Sequence, residues 1–299
     1  MKIAVTTPTG HIGNQLANIL LDRKADLTII ARNPEKAQVK DLAGRGARVI
    51  AGEHTDPAVV EQAVRGADAL FWLTPAEMTS RDPLGTARRM AEAGAAVIRN
   101  HPDLHVVQLS SAGAFLPSGT GPIVGLHETE EKFRAAGKNI VSLRPNEFME
   151  NIFFSLPTII NLGSIFSSVS GSVKAQFIAT RDIAEIAAEF LVKPVDGHHV
   201  IDIVGPQELS FDEWARIAGE AISKPIRVVT VPADKLKAAM NQSGMSPEMA
   251  ALMVEMEEAS PNILGQFHGD QKRTGKITFS QFAREVFAPA YKKAAQAAA

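Results

Sequence analysis

The chain has 299 residues, 45% of them hydrophobic and 21% charged, with a net charge of −2 at pH 7 and no cysteine. That size and balance exclude a disordered chain and leave room for one large α/β domain with a smaller lobe. The missing cysteines exclude disulfides, thiolate-held zinc or iron–sulfur clusters and a cysteine nucleophile, while the near-neutral charge offers nucleic acid no electrostatic footprint. No apolar run approaches membrane-spanning length, so the expectation is a soluble, cytoplasmic protein.

Residues 3–13 read I-A-V-T-T-P-T-G-H-I-G, an apolar strand, a Thr/Gly turn and a helix start. Such a turn aims unpaired backbone N–H groups and the positive end of a helix dipole at one spot, which suits a pyrophosphate. Gly10 would let the backbone approach the phosphates, and Gly13 would let helix and strand pack closely. The usual first glycine of G-x-x-G-x-x-G is Thr7 here, so the motif is incomplete and a plain strand–turn–helix is the alternative. Ile12, Leu16, Ile19 and Leu20 form one apolar helical face and residues 27–31 a second strand, completing a βαβ unit. At its end an NAD-specific site carries Asp or Glu for the ribose 2′-hydroxyl, and this chain has Arg32. A guanidinium there attracts a 2′-phosphate and stacks on adenine, so the expected cofactor is NADP, with NADPH preferred over NADH and Lys36 adding charge. The bland alternative is a solvated loop arginine.

Strands are expected at residues 47–51, 69–73, 105–109 and 140–143, alternating with helices at 56–65, 82–100 and 128–136. This order predicts an α/β fold, a Rossmann-type parallel sheet wound on both faces. Around Arg144-Pro145 the pattern changes. Phe148, Met149, Phe153, Phe154 and Phe166 crowd a segment interrupted by Pro157, Gly163 and Gly171, and the chain is expected to leave the sheet. It returns once, through a helix opened by Arg181-Asp182 and a strand at 199–204, and is helical and loop-rich beyond Gly205. The expected division is a dinucleotide-binding domain over 1–150, returning at about 177–204, and a smaller, mostly helical C-terminal substrate lobe from 151–176 and 205–299. The terminal A-A-Q-A-A-A reads as a frayed end.

Open parallel sheets bind ligands at the carboxyl ends of their strands. Those ends carry Thr6, Thr7 and Thr9, then Thr74 and Pro75, Ser110 and Ser111, and Pro145 and Asn146. Each alone is as well explained as a turn former, but together their small polar side chains suit a diphosphate and a nicotinamide. A proton donor is harder to find, because the only tyrosine, Tyr291, sits in the tail and excludes a Tyr-x-x-x-Lys mechanism. His127, in G-L-H-E-T-E-E-K just ahead of the expected helix, could donate a proton or serve only as a helix-entry residue; Lys132 is a weaker candidate. His198 and His199 are adjacent on a strand and face opposite ways, so no metal is expected. Asp182 and Glu185 read as a helix cap. Met245, Met249, Met253 and Met256 form a helical stripe that suits either a core or a pocket for aromatic substrates, and the phenylalanines share that ambiguity.

T-T-P-T-G-H-I-G, A-R-N-P-E-K, G-L-H-E-T-E, L-R-P-N-E-F-M-E-N, R-D-I-A and the late G-K-I-T-F-S-Q-F-A-R-E stand in the order of the NmrA-like atypical short-chain dehydrogenases. The chain resembles that family over most of its length, and in style its flavin-free NAD(P)H reductases of quinones, triphenylmethane dyes and azo compounds. The resemblance implies that the turn containing Thr7, Thr9, Gly10, His11 and Ile12, together with Arg32, holds NADP, and that Thr74, Pro75, Ser110 and Asn146 line its ribose and nicotinamide. It also implies a substrate between the domains, with His127, Phe148, Phe153 and the Met stripe, Met249 included, around its ring. Flavin and metal are not expected, nor nucleic-acid or membrane partners; the implied partner is a small aromatic substrate, and a homodimer stays open. Thr7 departs from the family's glycine, and the lysine of the isoflavone-reductase branch is missing near His127. The competing reading is an NADP redox sensor that binds a partner protein without turnover. A sugar-nucleotide epimerase needs the absent Tyr-x-x-x-Lys pair.

Overall fold

In the computed structural model, which describes residues 1–298, the first half of the chain alternates strand and helix. The elements are β1 (Lys2–Val5), α1 (His11–Asp22), β2 (Asp26–Ala31), α2 (Ala37–Gly44), β3 (Arg48–Ala51), α3 (Pro57–Val64), β4 (Ala69–Leu73), α4 (Pro83–Asn100), β5 (His105–Leu109), α5 (Ile123–Ala136) and β6 (Asn139–Pro145). There follow α6 (Leu156–Leu162), β7 (Ser164–Ser167), β8 (Lys174–Ala175), α7 (Thr180–Val192) and β9 (His198–Val204). The last part comprises β10 (Leu209–Ser210), α8 (Phe211–Ile222), β11 (Arg227–Thr230), α9 (Ala233–Gln242), α10 (Pro247–Ile263), β12 (Gln271–Thr274), α11 (Phe279–Phe282) and α12 (Ala288–Ala298).

Eight strands form one sheet in the order β12-β9-β6-β5-β4-β1-β2-β3, and every pairing in it is parallel. This is the expected doubly wound Rossmann sheet. Alternation along the strands sorts side chains between two cores. Ile3 and Val5 pack with Leu16 and Leu20 of α1 and Ile183 and Leu191 of α7, whereas Ala4, Leu70 and Trp72 face Val60 of α3, Met90 of α4 and Phe133 of α5. Each large apolar side chain fully buried this way contributes roughly 1.5–3 kcal/mol.

The smaller lobe has its own core, in which Phe177 stacks on Trp214 at 5.3 Å and Phe279 lies against both. Its helix α8 starts at a capping box, Ser210 and Glu213 each bonding the other's backbone N–H.

Three expectations need correction. Residues 271–274 return to the sheet as β12, paired with β9, so the chain comes back twice and not once. Its sequence, Q-K-R-T, has no apolar alternation because it is an exposed edge. Helix α5 begins at Ile123 and not at 128, so His127 lies inside it; the flanking Gly-Pro and Gly125 read as loop signals. The tail expected to fray is helical through residue 298, as alanine's propensity allows, with Tyr291 buried against Phe287; residue 299 lies outside the described residues.

Candidate functional site

Strand β1 lies between β2 and β4, at the point where the winding reverses and an open sheet offers a crevice. Thr6 ties this crevice together: its hydroxyl donates to the Phe71 carbonyl at 3.3 Å and accepts from the Leu73 N–H at 3.0 Å. Thr7 then takes a left-handed conformation, φ 51°, the geometry for which glycine is the usual residue. Its carbonyl accepts from Gly10 N–H at 3.1 Å. A Cβ on Gly13 would stand 2.2 Å from the same carbonyl oxygen, so the helix can approach the turn only with glycine there. Helix α1 has Gly10 at its N-cap and no side-chain cap. Its first N–H groups and dipole therefore face the crevice, an anion site by construction. Ile12 is buried in the sheet core, so only its backbone can serve a ligand, while Thr9 is half-buried and His11 exposed.

The strand ends carry the strongest sign of a ligand. Thr7 Oγ1 after β1, Ser110 Oγ after β5 and Asn146 Nδ2 after β6 are each buried without a hydrogen-bond partner. A buried unsatisfied polar group costs about 1–3 kcal/mol, and three of them along one edge fit a polar molecule laid across it. Strands lie about 4.8 Å apart, which puts β6 roughly 14 Å from β1, a span suited to an extended dinucleotide and its reaction partner. Thr74 accepts from the Trp72 indole N–H at 3.0 Å and, with Pro75, is half-buried beside this line.

On the other side of the cradle, beyond β2, Arg32 and Lys36 are exposed. His54, three residues past β3, stands edge-on to Trp72 at 5.4 Å, and its Nε2 is buried without a partner. Burial, and then the nearby Arg32 charge, hold its imidazole down at about 4. A neutral imidazole beside a guanidinium at this end of the crevice was not anticipated.

Helix α10 roofs the carboxyl edge. Its N-cap Ser246 receives the Met249 N–H at 3.1 Å, donates its hydroxyl to Ser80 O and its N–H to Met78 O at 2.9 Å, which pins the helix to the loop after β4. Gly121, in the loop after β5, would place a Cβ 2.0 Å from Leu252 O, so the helix lies directly on that loop. Met249 is 1% exposed, Met253 and Met256 are half-buried, and Met245 precedes the helix. Phe148 packs against the sheet core, whereas Phe153 is drawn into the lobe by Phe282 and Phe287 at 6.2 and 6.3 Å.

Two partly buried carboxyls that sequence reasoning missed are Glu147, just past β6, and Glu257 on α10. Glu147 directly follows Asn146 and accepts from Asn151 Nδ2 at 2.7 Å. Burial pushes its carboxyl up to about 7; the Asn151 bond opposes that rise and the charge of Glu257 on α10 adds to it. Glu257 is itself pushed up, first by burial, against bonds from Ser167 and Ser168. Both residues keep part of their surface accessible. The signal in the sequence was a carboxylate inside the apolar run N-E-F-M, immediately after a strand.

His127 donates its Nδ1–H to Ala114 O at 2.9 Å and lines an open groove of about 530 Å³ with Arg88, Glu92, Glu128, Glu131 and Lys132. Lys132 is engaged there with Glu92. His198 and His199 each donate Nε2–H to a backbone carbonyl, of Gly137 and Asp196. They line a polar cavity of about 350 Å³ near the amino ends of β6 and β9, far from the cradle edge. Among the described residues no three His, Asp or Glu side chains converge as metal ligands.

Residues 1–99 match the model of the NmrA-like family, and the recognition drawn from the sequence motifs is borne out. The chain is 28% identical over 289 residues to an NAD(P)H azoreductase of Xenophilus azovorans, covering 94% of this chain and 96% of that protein. Its fold matches that of an NADPH-dependent quinone oxidoreductase of Escherichia coli, complexed with NADPH, with a TM-score of 0.72 and 19% identity over 95% of this chain and 99% of the other. It also matches NmrA, a negative transcriptional regulator in complex with NAD, with a TM-score of 0.70 and 15% identity over 98% and 97% of the two chains.

Proposed function

We propose, from the premise of an NmrA-like chain, that the protein is an NAD(P)H-dependent oxidoreductase: an NADPH-preferring, flavin-free reductase of an aromatic acceptor such as a quinone, azo compound or triarylmethane dye. The observation that carries this reading is the row of unpartnered polar atoms, Thr7 Oγ1, Ser110 Oγ and Asn146 Nδ2, under the roof of α10. The likeness to an azoreductase along nearly the whole chain supports it.

The bound dinucleotide would supply hydride. The chain's own residues do the rest: the α1 N-terminus neutralises the diphosphate, Thr9 and His11 flank it, and Arg32 with Lys36 receives the 2′-phosphate. Thr74, Pro75, Ser110 and Asn146 line the ribose and nicotinamide. Phe148 and Phe153 are proposed as walls of the acceptor site, with the buried Met249 packed behind them, and α10 excludes water from it. His127 holds the segment after β5 through Ala114 and is proposed to assist proton delivery.

The deciding experiment follows the ultraviolet decay of NADPH and of NADH against quinones, azo dyes and triarylmethane dyes without added flavin. Acceptor-dependent loss of NADPH is the expected result. The likeness to a regulator supports a second reading, a redox sensor; tight NADP binding without turnover on any acceptor would favour it. Arg32→Ala is expected to weaken NADPH binding roughly tenfold to a hundredfold, the worth of a charged hydrogen bond, with NADH binding little changed. Equal losses for both would remove Arg32 from the site. His127→Ala is expected to lower turnover without loss of cofactor affinity; wild-type rates across a pH series would leave it a structural residue.

A further inference from the structure

We propose that Glu147, at the carboxyl end of β6, is the acid that protonates the acceptor as it is reduced, with the charge of Glu257 on α10 helping to hold the proton there. The inference rests on the reductase reading.

The geometry assembles the argument. Glu147 leaves β6 one residue after Asn146, whose Nδ2 is one of the unpartnered atoms of the strand edge. Its side chain is fixed by one neutral donor, Asn151 Nδ2 on Oε1 at 2.7 Å, and among the described residues it takes part in no ion pair. On α10, Glu257 is near enough for its charge to bear on Glu147, and it is anchored by the Ser168 N–H at 3.2 Å. Glu258 adds negative charge behind Glu257. Glu150, on the same turn, is directed elsewhere: it takes the Thr180 N–H and hydroxyl and interacts with His11. Burial is the main cause that keeps a proton on Glu147 near neutral pH, and the charge of Glu257 adds to it. The value of about 7 for Glu147 agrees with that. His127 gives its Nδ1–H to the Ala114 carbonyl, so it assists from the loop after β5 and is not itself the donor.

The chemistry balances. The acceptor takes two electrons and one hydrogen as hydride from the reduced nicotinamide, which becomes oxidised. The anionic nitrogen or oxygen that results takes a proton as the Glu147 O–H bond breaks and an N–H or O–H bond forms. The carboxylate is then reprotonated from water through the accessible side of the cleft. Two side chains serve the step without entering it: Asn151 orients the carboxyl, and the charge of Glu257 adds to burial in raising its affinity for the proton.

The test uses Glu147→Gln, which keeps the shape and the Asn151 bond, and Glu257→Gln, with NADPH and an azo compound that has no titratable substituent. For the wild type, kcat should hold at low pH and fall above the carboxyl's ionisation. Glu147→Gln should lower kcat on the order of a hundredfold and abolish that break, with the Kd for NADP unchanged. Glu257→Gln should move the break to lower pH. A difference infrared titration of the NADP-bound protein should show a protonated carboxyl in the wild type that Glu147→Gln lacks. Turnover by Glu147→Gln at the wild-type rate with the same pH profile, or an infrared titration unaltered by that substitution, would overturn the proposal and leave the reductase reading standing. Absence of turnover by the NADPH-loaded wild type would instead sink the reductase reading, and the proposal with it.

Discussion

Thr7 shows how a departure from a motif becomes a physical quantity. A β-branched residue at φ 51° bears the left-handed penalty of about 1–2 kcal/mol, and glycine would remove it while adding about 0.5–1 kcal/mol of chain entropy to the unfolded state. Thr7→Gly is therefore expected to raise apo-protein stability by up to about 1 kcal/mol, read from the denaturant midpoint; a clear loss would mean that the threonine makes a native contact outweighing its strain. The substitution was visible in the sequence because the glycine turn is local. So were Gly13 and Arg32, each fixed by its offset from β1 or β2. Glu147 and His54 were not. Their significance lies in their burial and in the charges near them, Glu257 on α10 and Arg32 past β2, and neither can be read along the chain.

Among the elements, α10 matters most to the site, and its anchorage rests on one residue. Ser246 caps the helix and bonds the loop after β4 through both its hydroxyl and its N–H. Ser246→Ala removes the hydroxyl's two roles and is expected to cost about 1–2 kcal/mol, measured by chemical unfolding, with a raised KM as the roof loosens. An unchanged KM would mean that α10 takes no part in holding the acceptor. The Met stripe was legible as a helix, although the loop it covers was not, since contact with Gly113 and Gly121 is a tertiary fact. The other misreadings share that cause. β12 is polar and owes its conformation to β9, and α5 begins inside a Gly-Pro segment whose local signals favour a loop.

For the whole molecule, two buried groups tilt stability in opposite directions with pH. His54 is held at about 4 against an ordinary 6.5, so between these values the unfolded chain binds the extra proton and stability is lost as pH falls. Glu147 is raised from 4.5 to about 7, so there the folded chain holds the proton and stability is lost as pH rises through that range. His54→Asn should flatten the acid limb of a stability–pH curve, by about 1–3 kcal/mol at most, and Glu147→Gln should flatten the limb approaching neutrality. A curve whose acid limb is untouched by His54→Asn would show that the imidazole reaches water in the folded state. The parallel, doubly wound sheet was legible in the alternation of elements along the first half of the chain. What the alternation did not reveal is how the lobe is attached.

That attachment sets how the cleft can open. The chain leaves the sheet at Val204 and re-enters it at Gln271, on the strand paired directly with the one it left. Just beyond, Asp182 clasps the N–H groups of Lys276 and Ile277 at 2.8 Å each. A flap moored at both ends to adjacent strands cannot swing outward like a door on a single hinge. Admission of an acceptor and escape of product are therefore expected to come from flexing of the α9–α10 hairpin between its moorings. A covalent staple across that hairpin and the loop after β4 would then slow product exit while leaving the dinucleotide cradle untouched.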